Sequence, residues 1–221
     1  MYLVKSPLLL KWFYSDLIWN KSRSEKIVYL TFDDGPIPNV TDFVLNTLKT
    51  YNAKATFFCI GDNILKHPTV FESLKNDGHA IGNHTFNHLK GWNTDDETYI
   101  NNTLKCQELT QTNLFRPPFG RIKKSQIKSL KSKVQSLKSK SQDSRLTTKD
   151  SILDIIMWDV LSGDFDLNLT PEKCYQNVIK NTQNGSIIVF HDSLKAFDRL
   201  AYALPKVLKY LTEKGYRFGT L

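Results

Sequence analysis

No stretch of this 221-residue chain is apolar over anything near the ~20 residues that cross a bilayer as a helix. Cysteine is scarce: Cys59, Cys106 and Cys174 lie far apart, are odd in number and form no Cys-x-x-Cys pair. That excludes a disulfide framework and a cysteine zinc knuckle, and reads as reduced, buried thiols. The 10 glycines and 8 prolines fall irregularly, which excludes a collagen-like or purely coiled-coil chain. Charged residues at 24% and hydrophobic residues at 40% exclude a chain disordered throughout. The length suits one core, since single cores grow to roughly 250 residues before splitting.

Acidic residues are nearly missing from one segment. Residues 121–150 hold ten Lys/Arg and only Asp143 and Asp150, a net of +8, which is the formal charge of the whole chain. The other 191 residues carry 20 basic and 20 acidic groups. The excess therefore describes a local insertion, and no nucleic-acid partner is expected from it, because aromatic interleaving and any recognised motif are lacking. The segment repeats Ser-Leu-Lys-Ser-Lys at 129–133 and 136–140. Ile127, Leu130, Val134 and Leu137 would form the stripe of a basic amphipathic helix touching an anionic polymer or lipid surface. The favoured alternative is a solvated excursion, whose deletion over 123–148 would leave activity on a small soluble substrate intact. Residues 1–25 read as an amphipathic lead-in that packs on the domain. No small-residue cleavage site follows its short apolar run Pro7–Leu10, so cytoplasmic or membrane-peripheral residence is favoured.

From residue 26 onward β-rich runs alternate with helical patterns. Strands are expected at Ile27–Phe32, Ala55–Ile60, around Ala80 and Ile81, at Leu114–Phe115, Ile155–Val160, Ser186–Phe190 and Tyr216–Thr220. Helices are expected at Val40–Tyr51, Pro68–Asp77, Asp95–Thr112, Pro171–Asn184 and Leu200–Lys214. Alternating βα units with continuously apolar strands imply an α/β fold, a parallel sheet covered by helices. A barrel or partial barrel is the preferred closure, with an open doubly wound sheet second.

Polar clusters sit at or just beyond the strand ends, where α/β enzymes place their working groups. Asp33-Asp34-Gly35-Pro36 offers two carboxylates that an extended chain would send to opposite faces unless the turn redirects them. His84-Thr85-Phe86-Asn87-His88 offers two imidazoles four apart, sharing one face if the turn is helical. Thr85 stands where a metalloprotease helix has Glu. His79 reads as a structural hydrogen-bonder. In Arg116-Pro117-Pro118-Phe119-Gly120 the prolines remove two donors, so Phe119 is the first residue after Arg116 with a backbone N–H. Such a turn suits an oxyanion or a plain loop corner. Trp158-Asp159, Asp164-Phe165 and Val189-Phe190-His191-Asp192 complete the set.

In this order the motifs resemble the polysaccharide deacetylase family, the NodB-type homology domain of carbohydrate esterase family 4, over about residues 26–221. The resemblance implies a distorted (β/α) barrel of about seven parallel strands and metal-dependent removal of acetyl groups from an N-acetylated glycan. It implies Asp34, His84 and His88 as ligands of a divalent ion, usually zinc, and Asp33 as general base. Arg116 would orient Asp33 through a bidentate ion pair. His191 would be the general acid, tuned by Asp164, with the Phe119 N–H at the oxyanion and Trp158 and Val189 lining the acetyl pocket. Thr85, Leu89, Phe119, Phe165 and Val189 depart from the residues the family usually has there, and these departures touch pocket shape more than metal binding. Rival readings are an O-acetylxylan esterase, a cyclic-amide hydrolase, or a non-catalytic glycan-binding domain; the intact acid, base and ligand positions argue against the last.

Overall fold

The computed structural model describes residues 2–140 and 153–221. Its strands are β1 (Ile27–Asp33), β2 (Thr56–Cys59), β3 (Ala80–Asn83), β4 (Leu114–Phe115), β5 (Asp154–Ile155), β6 (Val160–Leu161), β7 (Ile187–His191) and β8 (Arg217–Phe218). The helices are α1 (Leu8–Phe13), α2 (Val40–Thr50), α3 (Gly61–Lys66), α4 (Pro68–Asn76), α5 (Asp96–Thr110), α6 (Lys124–Lys140), α7 (Pro171–Asn181) and α8 (Phe197–Glu213). Seven strands pair in parallel in the order β5-β4-β3-β2-β1-β7-β6, with β8 pairing the start of β1. The two ends of that path, β5 and β6, are joined by only residues 156–159. The sheet therefore curls back on itself as a half-barrel, not the open doubly wound alternative.

The period-2 alternation of β1 divides its neighbours. Val28, Leu30 and Phe32 point outward into a core shared with Val44 and Leu48 of α2 and Leu200, Leu204 and Val207 of α8. Tyr29, Thr31 and Asp33 point inward. Sequence signals for helix ends hold where side chains cap them: Thr170 accepts from Lys173 N–H with Pro171 in the first turn of α7, and Asp95 accepts from Thr98 N–H before α5. His79 accepts from Ala55 N–H at 3.2 Å, and burial lowers its pKa to about 4, so it is a neutral structural group.

Two expectations need correction. Ile155–Val160 is not one strand. Ile156 N–H donates to Phe115 O, Met157 N–H to Ile18 O and Asp159 N–H to Ile187 O, so the run changes partners midway and breaks into β5 and β6. The basic segment is not a solvated excursion as far as it is described. Its residues 124–140 form α6, which buries Ile127, Leu130 and Val134 against Tyr99, Phe115 and Trp19. Residues 141–150 and the side chain of Leu137 lie outside the described residues. Removing 123–148 would thus cut into a core.

The lead-in packs against the sheet on both flanks, and α1, which buries no residue, is tied to it through Lys11. Leu161 N–H donates to Val4 O, Ser6 N–H to Asp159 O, and Leu17 and Trp19 are buried beside α6. The clasp is Asp159, a fully buried carboxylate that receives Lys5 (2.8 Å), Lys11 (2.5 Å), Arg23 (3.0 Å) and the Ser186 hydroxyl (2.6 Å). Burial alone would raise its pKa, but these donors outweigh burial and hold it well below the carboxylate range. Replacing Asp159 by Asn leaves three cations facing a neutral amide. Because those cations can still reach water, the loss is discounted from the full buried-pair value to about 2–3 kcal/mol. Asp159→Asn should therefore lower the melting temperature at pH 7 by about 4–12 °C, read by differential scanning calorimetry, and an unchanged value would remove this role.

Candidate active site

The carboxyl ends of β1, β3, β4, β6 and β7 meet at one rim, and each sends a polar group there. Asp33 ends β1. Asp34 follows with φ at +85°, and this reversal brings its carboxylate to the same side as that of Asp33. Asp33 Oδ2 and Asp34 Oδ1 lie 4.0 and 3.8 Å from His84 Nε2. The turn has room only for glycine next: a Cβ on Gly35 would sit 2.0 Å from Asp192 Oδ2. Asp192 is buried and accepts from Gly35 N–H (3.0 Å) and the Thr41 hydroxyl (2.6 Å). Burial pushes its pKa up to about 8 despite those donors, with Asp34 adding to the shift. Asn63 completes the cradle by donating to Asp34 O at 2.7 Å.

The two imidazoles do share one side, but not by a helical turn. Residues 84–88 form an irregular loop with Thr85 at φ +61° and His88 at φ +57°. Asn83, at the end of β3, holds the loop by accepting from Thr85 N–H, and Thr85 Oγ1 accepts from Leu89 N–H. Of the seven non-glycine residues with positive φ among those described, Asp34, Thr85, His88 and Phe119 all belong to this rim. Strain concentrated in that way marks a functional site.

Asp34, His84 and His88 offer ligand atoms that all lie within 4.8 Å of one another. Asp34 Oδ1 is buried without a hydrogen-bond donor, 3.3 Å from His88 Nε2. His84 Nδ1 bonds Arg116 O at 2.8 Å; since a carbonyl only accepts, Nδ1 carries the proton and Nε2 presents its lone pair. Desolvation, reinforced by the neighbouring His88, holds the His84 pKa well below its usual value, and desolvation lowers that of His88 as well. An orphaned carboxylate oxygen facing two neutral imidazole nitrogens fits a divalent cation.

Arg116 is fully buried, but its contact with Asp33 is not the expected bidentate pair. One nitrogen reaches Asp33 Oδ1 and Thr31 Oγ1, both at 2.7 Å. The remaining donors go to Ile156 O (3.3 Å) and Met157 O (3.0 Å), while the guanidinium lies 4.1 Å from the Phe58 ring centroid. The fork is spent on the broken segment between β5 and β6, which has carbonyls to satisfy. Asp33 Oδ2 is thereby left toward His84.

Across the rim, His191 pairs in register with Asp33. Asp164 accepts from its ring Nδ1 and from its backbone N–H, both at 2.7 Å. Burial works against charge on this ring, but Asp164, with Asp34 and Asp33 beyond, raises the pKa to about 10. Arg199 fixes the Asp164 loop by donating to Asp164 O at 2.5 Å. Val189 is buried in β7 beside Thr31, one inward position below His191. Phe119 projects its ring 4.7 Å from that of His88, and the turn uses Gly120 and Arg121 N–H for its own bonds, leaving the Phe119 N–H outside them. A cleft of about 380 Å³ opens beside the cluster, lined in part by Phe119 and Trp158 but not by Val189.

All ten residues singled out from the sequence thus lie at this rim or on the cleft beside it. Thr31, Asn63, Asn83 and Arg199 were not singled out, and Asp192 stood out only as part of the cluster ending β7. Thr31 carried a readable signal, since it lies two residues before Asp33 on the same strand face. The others act through contacts between distant segments.

The chain matches the polysaccharide deacetylase family over residues 20–134. It is 34% identical over 209 residues to a peptidoglycan-N-acetylglucosamine deacetylase of Bacillus cereus, covering 92% of this chain and 90% of that protein. Among solved structures it superposes, with TM-score 0.81 and 29% identity over 98% of this chain and 95% of the other, on a peptidoglycan N-acetylglucosamine deacetylase bound to 4-naphthalen-1-yl-N-oxidanyl-benzamide. A family 4 acetyl xylan esterase from Clostridium thermocellum, in complex with a cobalt ion, follows at TM-score 0.72 and 26% identity, with 88% of each chain covered. Taken with the curled parallel sheet and the Asp/His/His cluster, these likenesses establish that the chain belongs to the polysaccharide deacetylase family, divalent-metal-dependent hydrolases that release acetyl groups from carbohydrate.

Proposed function

We propose that this chain hydrolyses the acetamide of N-acetylglucosamine units in a peptidoglycan-type glycan, with zinc held by Asp34, His84 and His88. The observation that carries the reading is the division of labour at the rim. One carboxylate, Asp34, faces two neutral imidazoles, while the adjacent one, Asp33, is tied to a buried arginine and keeps an oxygen free. The names of the Bacillus cereus relative and of the solved deacetylase support the sugar, and two imidazoles with one carboxylate form a donor set suited to zinc. Bound there, the ion would supply Lewis acidity, which lowers the pKa of a water from 15.7 toward about 7.

The residues of the chain divide the proton transfers. Asp33 accepts the proton of the attacking water at Oδ2, while Arg116 holds Oδ1 and keeps the carboxylate aimed. The acetyl carbonyl becomes a tetrahedral oxyanion, which the Phe119 N–H stabilises. His191 then protonates the departing nitrogen, giving acetate and the free amine. An amide nitrogen is a poor leaving group without that proton. The Asp164 contact, which keeps the His191 ring charged at neutral pH, favours amide over ester as the scissile bond. Trp158, on the cleft, would bound the methyl of the acetyl group, whereas Val189 lies buried behind the rim.

Asp33→Asn and His191→Ala should each lower kcat by at least about two orders of magnitude, the usual share of a general base or acid, while the protein still binds one zinc by isothermal titration calorimetry. Unimpaired turnover in either variant would overturn the assignment. His84→Ala should lose zinc itself and turnover with it; retained stoichiometric zinc would contradict the ligand set. Acetate release should be faster from chito-oligosaccharide than from acetylated xylan, and the reverse ranking would favour the ester reading. His191 must be protonated to act, so activity should fall on the alkaline side as it loses its proton. Asp164→Asn removes the negative charge that sustains that proton, so the alkaline limb of the kcat profile should move to lower pH. An unmoved limb would take the acid role away from His191.

A further inference from the structure

Helix α1 is amphipathic the wrong way round for a helix on a water-facing surface. Its one charged side chain, Lys11, turns inward to Asp159 and Asn20. Leu8, Leu9, Trp12 and Phe13 face out, with 83, 65, 71 and 60% of their surface exposed. A surface helix ordinarily does the reverse. Leu3 and Leu10 are exposed too and line the cleft that runs on to Trp92 and Phe119, so the apolar patch is continuous rather than scattered.

The patch is bordered by α6, a helix with six lysines and no acidic residue. Lys124 Nζ lies 5.7 Å from the ring of Tyr14, the residue that closes α1, and Lys131 approaches Asp16. While α6 buries Ile127, Leu130 and Val134, it leaves Lys124, Lys128 and Lys133 exposed; the acidic groups at this helix are Asp16, near Lys131, and Asp96, which pairs with Lys123 and Ser125 at its start. Exposed leucine, tryptophan and phenylalanine beside a lysine row is the composition of a segment that lies in a bilayer interface, with the apolar side chains among acyl chains and the cations among headgroups. A second copy docked face to face would bring one lysine row toward another, which disfavours self-association as the occupant.

We propose that α1 and the lysine face of α6 together form a docking surface for an anionic lipid bilayer. Insertion supplies the apolar contact, and the lysines supply salt-dependent attraction of about 1 kcal/mol each near a charged membrane. The cleft joins this surface to Phe119, but none of the α1 or α6 side chains changed below belongs to the polar rim, so docking and turnover can be scored independently.

The test is co-sedimentation of the whole chain with vesicles of mixed phosphatidylglycerol and phosphatidylcholine, and with phosphatidylcholine alone, at low and high salt. The wild type should partition onto the anionic vesicles at least about tenfold more strongly than onto the neutral ones, and high salt should weaken it. The combined variant Leu8→Ser, Leu9→Ser, Trp12→Ser and Phe13→Ser should lose about tenfold or more in partitioning while acetate release from soluble chito-oligosaccharide is unchanged. Lys124→Glu, Lys128→Glu and Lys133→Glu together should abolish the preference for anionic vesicles. Wild-type protein left in the supernatant with both vesicle types would overturn the proposal. So would an α1 variant that still sediments, or size exclusion showing a dimer that the α1 changes dissolve without any vesicle binding.

Discussion

The buried guanidinium of Arg116 is the constraint on which the rest of the rim depends. It sits inside the sheet without solvent, stacked on Phe58, and its donors reach Thr31 and Asp33 on β1 and the carbonyls of Ile156 and Met157 on the far wall. A buried charge of that kind is tolerable only when its donors are matched. The matching fixes three things at once. It holds the end of β1, it satisfies the stretch where the sheet would otherwise be left with unpaired carbonyls, and it commits one oxygen of Asp33 so that the other faces the histidines. The backbone of the same residue, through Arg116 O, sets the tautomer of His84. One side chain and its own carbonyl thus couple the fold to Asp33 and to the Asp34, His84 and His88 cluster.

Another buried carboxylate, Asp159, does comparable work at the start of β6 and β7. The sheet path ends at β5 and β6, and the segment before β1 supplies the missing neighbours through Val4, Ser6 and Ile18. Three cations from that segment converge on Asp159, so the lead-in is a structural part of the half-barrel. The cost falls on α1: with Lys11 drawn inward, the apolar side chains of that helix are turned to the outside.

Much of this was legible in the chain itself, for identifiable reasons. Continuous apolar runs separated by helical periodicity gave the parallel sheet, because strands covered on both faces need no polar alternation. Thr170-Pro171 announced the start of α7 through local chemistry alone. The polar clusters stood out because they follow strand ends, and their order carried the family resemblance. What stayed hidden depends on contacts between distant segments. Nothing in Ile155–Val160 says that half of it pairs with β4 and half with β7. The loop at 84–88 brings its imidazoles together through left-handed backbone at Thr85 and His88, which spacing alone reads as a helical turn. Arg116 was expected to spend its fork on Asp33, and only the broken strand explains why it does not. Asp192 looked like a residue trailing His191, yet it shapes the turn that carries Asp34 by occupying the space a Cβ on Gly35 would need. The repeat at 129–140 looked like solvated sequence because lysine and serine dominate it, and the three apolar side chains that anchor it are a small part of its composition.

The central claim is that one carboxylate and two imidazoles hold the ion while Asp33 and His191 stay off it to move protons. Zinc K-edge X-ray absorption of the zinc-loaded protein reads this directly. Two imidazole nitrogens with oxygen completing the shell are expected, unchanged in His191→Ala. A third imidazole that disappears in His191→Ala, or a shell that loses an oxygen in Asp33→Asn, would contradict it.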